Sequence, residues 1–521
     1  MPHSAAPSGK PLSPALRRFI YGTAALTGAA ILIVEILGAK VLSPYVGTSH
    51  FVWTAQIAVT LLSLAAGYWF GGWLVDRSQD LRQLYLCILL AGGYLSLTVP
   101  FAGRVAFACL VFPLATGSLL ASLFLFFVPL TLLATVGPFA IRVLTRDLAS
   151  VGGTVGRLSA ISTLGSVLGT VLVGYVLIPI LPNSVTMWVT AGVLMAVAVV
   201  FFVVWRGAVA SSTALLLLAL GAGWAGLRAQ AHPWPEELIE IASYNSNFGQ
   251  LQVFDQSDGA RRYFLNDYLQ QNTYDPHTHQ STSLFTYALH GLARRYTPRT
   301  DDVLCIGLGV GIVPMDFARD GARVTVVEIN PKVVPMAQRH FGFAPEKMRV
   351  IVGDGRQFLN TATGAYDAVI LDAFLGDSAP SHLMTQEAFA AMRRVLRPDG
   401  VLVINSLGEL TPGRDFLVAS LVRTLRTCFG AVRLHAMGNG NVFFVASPHA
   451  ELPTLRADAT ERVHPDVREN FLAMLATSPT ADLTHGLVLT DDFNPVEFHD
   501  AANRERMRRG LVDWMHPVLP F

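Results

Sequence analysis

The hydrophobic positions before residue 230 form long, nearly continuous runs. A helix rises about 1.5 Å per residue, so roughly 20 apolar residues cross the hydrocarbon core of a bilayer. Ionisable residues inside these runs are few. The pattern predicts about seven membrane-spanning helices, near 20–42, 52–74, 83–101, 118–142, 156–181, 185–205 and 208–227.

The fifth run carries small residues, in the stretch STLGSVLGTVLVG (162–174). Gly165, Gly169 and Gly174 remove side chains from the helix surface and let two backbones approach each other. They predict close packing of this helix against a neighbour.

The pattern changes at Pro233, after which charged, histidine and turn residues appear. The segment 248–270 has two alternating strands around a Ser-Asp-Gly turn (257–259), which predicts a β-hairpin. Continuous Val/Ile runs separated by helical segments follow, and they favour a parallel sheet covered on both faces, the doubly wound α/β class. The strands are predicted at 302–307, 323–329, 348–354, 365–372, 400–405, 431–436 and 441–446.

The two patterns divide the chain into parts of different architecture. A cytoplasmic tail precedes a polytopic α-helical membrane domain, and a β-hairpin region precedes the α/β domain. The predicted boundaries are 1–19, 20–228, 233–297 and 298–521. Further runs follow the first one, which lacks a clear small-residue cleavage site, so we expect an anchor rather than a removable signal peptide.

Composition supports a membrane protein and excludes one class of partner. Hydrophobic residues make up 52% of the 521 residues and charged residues only 14%, which is too apolar for one soluble globule. The net charge of +1 and the absence of a basic tract argue against nucleic acid as a partner. The four cysteines have neither metal-ligand spacing nor the pattern of a disulfide framework, so we interpret them as packing residues.

Positive charges set the expected orientation of the spans. The bias of arginine and lysine toward the cytoplasm places the N-terminal tail, Arg77 with Arg82, and Arg142 with Arg146 there. An odd number of spans then puts the C-terminal half outside. A short eighth element at 103–116 would return that half to the cytoplasm and move Arg142 and Arg146 outside. We expect a multi-pass protein of the cell membrane with its C-terminal domain in the cytoplasm.

Among the few ionisable residues inside the predicted spans, Glu35 most needs an explanation. A carboxylate in lipid is costly unless it is paired, protonated or hydrated. The sequence leaves two interpretations open: a site inside the membrane, or a structural ion pair with Lys40 or with an arginine of a neighbouring span.

The predicted sheet carries a glycine-rich turn after its first strand. Ligands of doubly wound sheets bind beyond the carboxyl ends of the strands. In GLGVG (307–311), Gly307, Gly309 and Gly311 permit a tight turn and the close approach of a ligand. Glu328 ends the next strand, where a carboxylate meets the two hydroxyls of a ribose. These residues predict a nucleoside site.

Two more acids end the strands that follow. Asp354 is placed to accept a hydrogen bond from an exocyclic amine of a purine, and Asp372 ends the fourth strand. A sheet with a purely structural role has little reason to carry an acid at each of three successive strand ends. We interpret Asp372 as a residue that takes part in chemistry rather than a turn cap.

Several of these motifs resemble a known family. The glycine turn, Glu328, Asp354 and VLRPDGVLVIN (395–405) resemble the Rossmann-like fold that binds S-adenosylmethionine. The stretches SNFGQLQV (246–253) and FLNDYLQ (264–270), with Asp275 and the Asp372 loop, resemble the spermidine synthase family of aminopropyltransferases. The chain is most similar to the subgroup in which this domain follows several membrane spans. The resemblance covers roughly 240–510.

The resemblance implies an enzyme that transfers a propylamine group from decarboxylated S-adenosylmethionine to putrescine and releases methylthioadenosine and spermidine. The nucleoside would be a co-substrate, with no permanently bound cofactor. A primary amine with a pKa of about 10.4 is almost fully protonated at neutral pH. A carboxylate beside it can hold the cation and then take its proton, which is the role implied for Asp372.

The resemblance also implies roles for individual residues. The donor would be bound by the glycine turn, by Glu328 at the ribose, by Asp354 and Gly355 at the adenine, and by Pro380 in a loop that closes over it. The acceptor would meet three residues of the hairpin region, namely Gln270, Asp275 and Gln280.

Several family positions carry a different residue here. The places of expected polar or acidic side chains are taken by Gly249, Pro276, Ser281, Val310 and Leu375. The lost carboxylates are ones that would bind a polycation, so we expect a diamine to be held poorly. Replacement acids are available in Asp377 and in LTDDFNPVEF (489–498), which carries Asp491, Asp492 and Glu497, although capping of a terminal helix explains the second group equally well.

Two other functions stay open. The lost acids and the membrane half favour a methyltransferase that uses intact S-adenosylmethionine on a membrane-proximal acceptor. A membrane binding protein or transporter with a nucleoside-sensing domain is the third hypothesis, and the retained Asp372 weighs against it. The HTH sequence (277–279) with Asp275 lacks a convincing fourth ligand, so no metal is expected. The expected partners are an amine, a nucleoside donor and membrane lipids, and a homo-oligomer is left open.

Overall fold

The structure is a computed structural model that describes residues 12–47, 49–145, 148–207, 237–267, 269–374, 380–436, 440–456, 460–501 and 503–506, with the single positions 217, 220, 221 and 224. Apart from residues 47–49, the chain divides into a compact unit that ends at Pro233 and another that begins at Trp234. The first unit is helical, and the second combines strands with helices.

The first unit consists of helices α1 Pro14–Val46, α2 His50–Arg77, α3 Leu81–Cys109, α4 Leu114–Ala134, α5 Val136–Leu144, α6 Val151–Leu172, α7 Ile178–Ile180 and α8 Asn183–Arg206. A π-helical turn, Val173–Leu177, joins α6 to α7. Within the described residues, 6 stretches are long and apolar enough to cross a membrane, with α4 and α5 forming one stretch and α6 and α7 another.

These stretches coincide with the first six predicted spans, of which only 156–181 extends beyond its stretch, by one residue. The seventh predicted span, 208–227, lies outside the described residues except at four isolated positions. The stretch 103–116 is not an additional element, because α3 continues to Cys109 and α4 begins at Leu114. A proline at 113 precedes α4 and stands at its N-cap, a position from which proline readily starts a helix.

Helix α1 is the centre of the helical unit and packs against α2, α3, α4, α5, α6 and α8. Its contact with α6 is very close. A Cβ added to Gly165 would lie 2.0 Å from the carbonyl oxygen of Ala25, and one added to Gly169 would lie 2.7 Å from that of Ala29. The predicted close packing is confirmed at these two glycines. It is wrong at Gly174, where an added Cβ meets nothing within 4 Å.

The Gly165→Ala substitution should destabilise the helical unit, because the new methyl group overlaps the backbone of α1. Overpacking of this kind costs about 1–3 kcal/mol. The Gly174→Ala substitution is the matched control, since it adds the same group in open space, where alanine favours a helix by about 1 kcal/mol over glycine. In thermal unfolding in detergent, the melting temperature of Gly165→Ala should lie below that of the parent protein, and that of Gly174→Ala should equal or exceed it. Equal melting temperatures would contradict the close α1–α6 contact.

A five-stranded antiparallel sheet opens the second unit, with its strands in chain order: β1 Leu238–Ser246, β2 Gly249–Gln256, β3 Arg262–Asn266, β4 Leu269–Asp275 and β5 Gln280–Ser281. The predicted hairpin is formed by β2 and β3, in which Val253 pairs with Phe264. The hairpin prediction is therefore confirmed. The structure adds one strand before the hairpin and two after it.

A seven-stranded sheet follows, built from β6 Asp302–Ile306, β7 Arg323–Glu328, β8 Arg349–Val352, β9 Tyr366–Leu371, β10 Leu396–Leu407, β11 Ala431–Ala436 and β12 Asn441–Ser447. Its order is β11-β12-β10-β9-β6-β7-β8. The strands from β10 to β8 run parallel, as predicted for a doubly wound domain, whereas β12 runs antiparallel to both β10 and β11. The connection between β11 and β12 is too short for a helical crossover, so these two strands form a hairpin.

Helices cover both faces of this sheet, and they are α9 Leu284–Tyr296, α10 Ile312–Arg319, α11 Val333–Phe341, α12 Gly355–Thr361, α13 Gln386–Val395, α14 Phe416–Cys428, α15 Pro465–Ala476 and α16 Val496–His499. Successive strand residues point to opposite faces. In β6, Val303 and Cys305 join the core under α9, α10 and α11, and Leu304 and Ile306 join the core under α12, α13 and α14. The strands are apolar on both faces, which leaves their carboxyl ends for polar side chains.

Candidate active site

A cavity of about 220 Å³ lies at the carboxyl ends of the parallel strands. The turn after β6 and the ends of β7, β9 and β10 form one side of it. Residues of β3 and β4 form the other side, and Pro380, His382 and Leu383 close a third. The cavity brings together most of the residues that the sequence singled out for nucleoside binding.

The glycine turn after β6 needs glycine for two different reasons. Gly307 has a φ of 98°, and an added Cβ would lie 2.1 Å from the carbonyl oxygen of Asp372. Gly311 has a φ of 85°, and its Cβ would collide with the ring of Phe343. Gly307 and Gly309 line the cavity. Gly311 instead stands at the start of α10, where it lets the helix pack against Phe343.

Glu328 holds the turn in place from the end of β7. One carboxylate oxygen accepts the N–H of Leu308 at 2.9 Å and the other accepts the N–H of Asn330 at 2.8 Å. The side chain is almost fully buried yet lines the cavity. Burial raises the pKa of Glu328, and the backbone N–H groups that it accepts oppose that rise. A carboxylate offers about four acceptor sites, so Glu328 keeps acceptor capacity for a ligand besides the backbone N–H groups that it accepts.

Asp354 lies between β8 and α12 and lines the cavity with Gly355. One of its oxygens caps α12 by accepting the N–H of Gln357 at 2.8 Å. The other lies 3.1 Å from Nε2 of His382, which also lines the cavity. An added Cβ at Gly355 would lie 2.5 Å from a methyl group of Ile306, so glycine lets α12 start against β6. The Asp354 carboxylate thus combines a capping role with a position at the ligand site.

Asp372 follows β9 and faces the cavity beside Gly307. Burial raises the pKa of Asp372 to about 6, although the amide of Asn405 donates a hydrogen bond of 2.9 Å to its carboxylate and opposes the rise. The amide of Asn441 in turn donates to the oxygen of Asn405 at 2.9 Å. Because Asn441 occupies that oxygen, it keeps the NH₂ group of Asn405 directed at Asp372. The site therefore holds a carboxylate whose pKa lies near neutrality.

The hairpin side of the cavity is polar but neutral. It is lined by Phe248, Asn266, Gln270, Gln271 and Asn272. Asn266 is buried, and its side-chain oxygen has no hydrogen-bond partner among the described residues. Gln270 donates to the hydroxyl of Thr273 at 2.8 Å. Amides stand here where a carboxylate would attract an ammonium group.

The structure does not bring Asp275 and Gln280 to this cavity. Asp275, at the end of β4, accepts the N–H of His277 at 2.8 Å and lies 3.3 Å from Nε2 of His464. Burial alone would raise the pKa of Asp275, but hydrogen bonds from His277, Thr278 and His464 outweigh it and lower the pKa to about 2. Gln280 donates to the carbonyl of Arg462. A substrate role for either residue stays a prediction.

The acids that were predicted to replace the missing carboxylates are not seen at the cavity. Asp491 does not line it, and Asp377 falls outside the described residues. Asp491 pairs with Arg356 at 2.8 Å and accepts from the hydroxyl of Thr385, so it fastens a loop to α13. Val310 is buried in the cavity wall, so this position presents an apolar group to the cavity. Leu375 and Asp377 fall outside the described residues.

Sequence reasoning missed several polar residues that line the cavity, namely Asn266, Gln271, Asn272, Asn330, His382, Asn405 and Asn441. Asn405 had a usable signal, because it interrupts the apolar run of β10 at the end that faces the ligand site. Asn441 and His382 lie in loops or at a strand start, and only the fold places them beside Asp372 and Asp354. Across the part of the chain that the structure describes, no group of three or more His, Cys, Asp or Glu residues is arranged to hold a metal ion.

Comparisons with known proteins agree with this geometry. A family model described as a methyltransferase domain matches residues 304–404. A polyamine aminopropyltransferase of Vibrio vulnificus is 38% identical over 117 residues, which cover 21% of this chain and 39% of that protein. A polyamine aminopropyltransferase of Pyrobaculum calidifontis is 31% identical over 201 residues, which cover 33% of this chain and 67% of that protein.

An enzyme with a different named activity is also similar. An N-terminal histidine N-methyltransferase of Emericella nidulans is 33% identical over 145 residues, which cover 26% of this chain and 25% of that protein. The chain thus spans 39% of the Vibrio protein and 25% of the Emericella protein.

Proposed function

Because the chain belongs to the polyamine aminopropyltransferase family, we propose that it transfers a propylamine group from decarboxylated S-adenosylmethionine to putrescine. The products are spermidine and methylthioadenosine. The position of Asp372 carries this proposal: its carboxyl faces the cavity between the nucleoside side, with Gly307 and Glu328, and the hairpin side. A base at that point lies where an acceptor amine would meet the donor.

Asp372 has two tasks in this reaction. Its carboxylate first holds the protonated amine, whose ordinary pKa is about 10.4, and then accepts a proton from the nitrogen. The nitrogen attacks the carbon next to the sulfonium, the carbon–sulfur bond breaks, and its electron pair stays on sulfur. Methylthioadenosine leaves as a neutral thioether, so no acid is needed to protonate the leaving group. The protein's remaining contribution is to align the two substrates.

The donor side of the cavity fits a nucleoside. We assign the remaining acceptor capacity of Glu328 to the ribose hydroxyls, and Asp354 with Gly355 to the adenine. Pro380 and His382 lie on the wall that closes this side. Gly307 and Gly309 let the sulfonium end approach the backbone. We propose no permanently bound cofactor and no metal.

The acceptor side fits an amine that is held mainly at one end. Gln270 and its neighbours present amides, and the described lining residues of that side include no carboxylate. An amide binds an ammonium group less strongly than a carboxylate does. We therefore expect putrescine to be accepted with a high KM. At three further positions where the family has a carboxylate, this chain has a neutral residue: Val310, Pro276 and Ser281.

The pH dependence of kcat/KM should report the pKa of Asp372. Below pH about 6 the carboxyl of Asp372 is protonated and cannot take a proton, so kcat/KM should fall as the pH drops through that value. The Asn405→Leu substitution removes the hydrogen bond that stabilises the carboxylate, so this limb should move to higher pH. Asn441→Leu should move it in the same direction by less, because Asn441 acts through Asn405. If kcat/KM of Asn405→Leu falls at the same pH as in the parent protein, the hydrogen bonds from Asn441 to Asn405 and from Asn405 to Asp372 do not control the pKa of Asp372.

We also propose that the helical unit, residues 20–228, anchors the enzyme in the cell membrane. Arg206, at the end of α8, pairs with Asp80, in the turn between α2 and α3. These helix ends therefore lie on one side of the membrane, together with Arg77 and Arg82. The bias of positive residues makes this side cytoplasmic. We place the α/β domain, 298–521, with its hairpin region, 233–297, on the same side, a placement that requires the stretch 208–227 not to cross the membrane.

One experiment tests the reaction and the location together. The protein is reconstituted in sealed vesicles and supplied with either decarboxylated or intact S-adenosylmethionine and a panel of amines that includes putrescine and a monoamine. Mass spectrometry should find methylthioadenosine and an aminopropylated amine, formed only when the substrates are added on the face that carries the α/β domain. Protease accessibility identifies that face. The absence of an aminopropylated product with every amine would overturn the proposal.

A methyltransferase activity is the second candidate. The match of residues 304–404 to a methyltransferase domain and the neutral hairpin side of the cavity favour it. The same assay separates the two, because methyl transfer from intact S-adenosylmethionine leaves S-adenosylhomocysteine and a methylated acceptor.

A further inference from the structure

The helical unit carries polar side chains deep inside its apolar packing, at the contact between α1 and α2. Glu35 lies half-buried on α1, next to Thr60 on α2. The hydroxyl of Thr60 is buried and has no hydrogen-bond partner among the described residues. Both residues stand roughly ten positions from the turn that joins the two helices. At about 1.5 Å per residue this places them about 15 Å from the turn, near the middle of a bilayer.

Gln56 lies one helical turn before Thr60 on the same face of α2. Its side chain is 0% exposed, and neither its amide nitrogen nor its amide oxygen has a hydrogen-bond partner among the described residues. Its amide packs directly against α1 at Gly38, where an added Cβ would lie 2.6 Å from the nitrogen and 2.7 Å from the oxygen. Gly38 and Glu35 lie on the same face of α1. A buried amide without partners is costly in an apolar environment, and its oxygen is an acceptor that a ligand with N–H donors would satisfy.

Among the residues that the structure describes, Glu35 forms no ion pair, and Arg206 is engaged with Asp80. A carboxyl group inside a membrane that lacks a basic partner marks a ligand or ion pathway more often than a structural contact. The sequence left the choice between a site and an ion pair open, and this geometry favours a site.

We propose that Glu35, Gln56 and Thr60 form an intramembrane binding site for an organic ammonium group. A primary ammonium has three N–H donors and no acceptor. The site offers a carboxylate, an amide oxygen and a hydroxyl at one level of the α1–α2 contact, which matches the three donors. The proposal rests on the proposed function, because an amine is the compound that the α/β domain would consume and release. The site gives the helical unit a role in holding or passing that amine, besides anchoring.

Labelled putrescine is the probe, and the full-length protein in lipid nanodiscs is the sample. Equilibrium binding to the parent protein should show two classes of site. Glu35→Gln should remove one class and leave the production of methylthioadenosine in detergent unchanged. Thr60→Val should weaken the same class about tenfold. Thr190→Val is the matched control, because the Thr190 hydroxyl is buried but already donates to the carbonyl of Thr186. Identical binding by the parent and Glu35→Gln would overturn the proposal.

A second measurement uses the parent protein alone, so it holds even if a variant fails to fold. A hydrophobic carbodiimide modifies carboxyl groups in apolar surroundings, and peptide mass spectrometry locates the product. Putrescine should protect Glu35 from modification, whereas sodium ions at the same ionic strength should not. Protection by sodium alone would show an alkali-ion site and overturn the proposal. The proposed reaction fails separately, when no amine yields methylthioadenosine in a preparation that still protects Glu35.

Discussion

The Asp372→Asn variant should lose turnover by about a thousandfold, the effect expected when a general base is removed, while its affinity for methylthioadenosine stays close to that of the parent protein. Asparagine has the same shape and can still accept the hydrogen bond from Asn405, so the local packing should persist. It cannot take a proton from the acceptor amine. Methylthioadenosine release and calorimetric binding of the same nucleoside measure the two quantities.

Asp367→Asn is the matched control, since Asp367 is a buried aspartate of β9, the strand that leads to Asp372. Its carboxylate pairs with Arg397 at 2.7 Å and with Arg299 at 3.0 Å, and it accepts backbone N–H groups of the loop before β6. The substitution should lower the free energy of unfolding and leave kcat nearly unchanged. Turnover that survives in Asp372→Asn would eliminate this residue as the base. A loss in both variants would point to damage of β9 instead.

The sequence allowed a good prediction of the ligand side of the sheet for a physical reason. A parallel strand buried on both faces reads as a continuous apolar run, so the first acid after the run marks the strand end. Glu328 and Asp372 were located in this way, and both line the cavity. Asp354 follows the same rule. The doubly wound fold and the ligand edge of its sheet follow from this pattern.

Whether the remaining candidate residues reach the cavity depends on the path that their strands and loops take in the folded domain. Asp275 and Gln280 follow the hairpin in sequence, but the antiparallel meander carries β4 and β5 away from the cavity after Asn272. The relay of Asn441 and Asn405 joins two strands whose pairing brings them together only in the folded sheet. The direction of a side-chain amide has no signature in a sequence, so this control over the pKa of Asp372 was not predictable.

The Glu328→Gln variant should bind the nucleoside about a hundredfold more weakly, or worse, because hydrogen bonds to a charged group contribute about 1.5–3 kcal/mol each. In the parent protein both carboxylate oxygens accept backbone N–H groups, from Leu308 and Asn330. A glutamine must turn its NH₂ group toward one of these donors. The glycine turn then loses its anchor at Leu308, and the ribose loses an acceptor, so one substitution affects both the shape and the chemistry of the donor side.

Glu387→Gln is the control that isolates this effect. Glu387 also accepts a backbone N–H, that of Asp491 at 3.0 Å, but it is not among the residues that line the cavity. The Glu387→Gln substitution should lower the free energy of unfolding somewhat and leave the nucleoside affinity unchanged. Calorimetry with methylthioadenosine measures both variants. Since the ribose assignment requires a carboxylate at the end of β7, parental affinity in Glu328→Gln would show that the nucleoside is held by other groups, and the donor would then have to lie differently in the cavity.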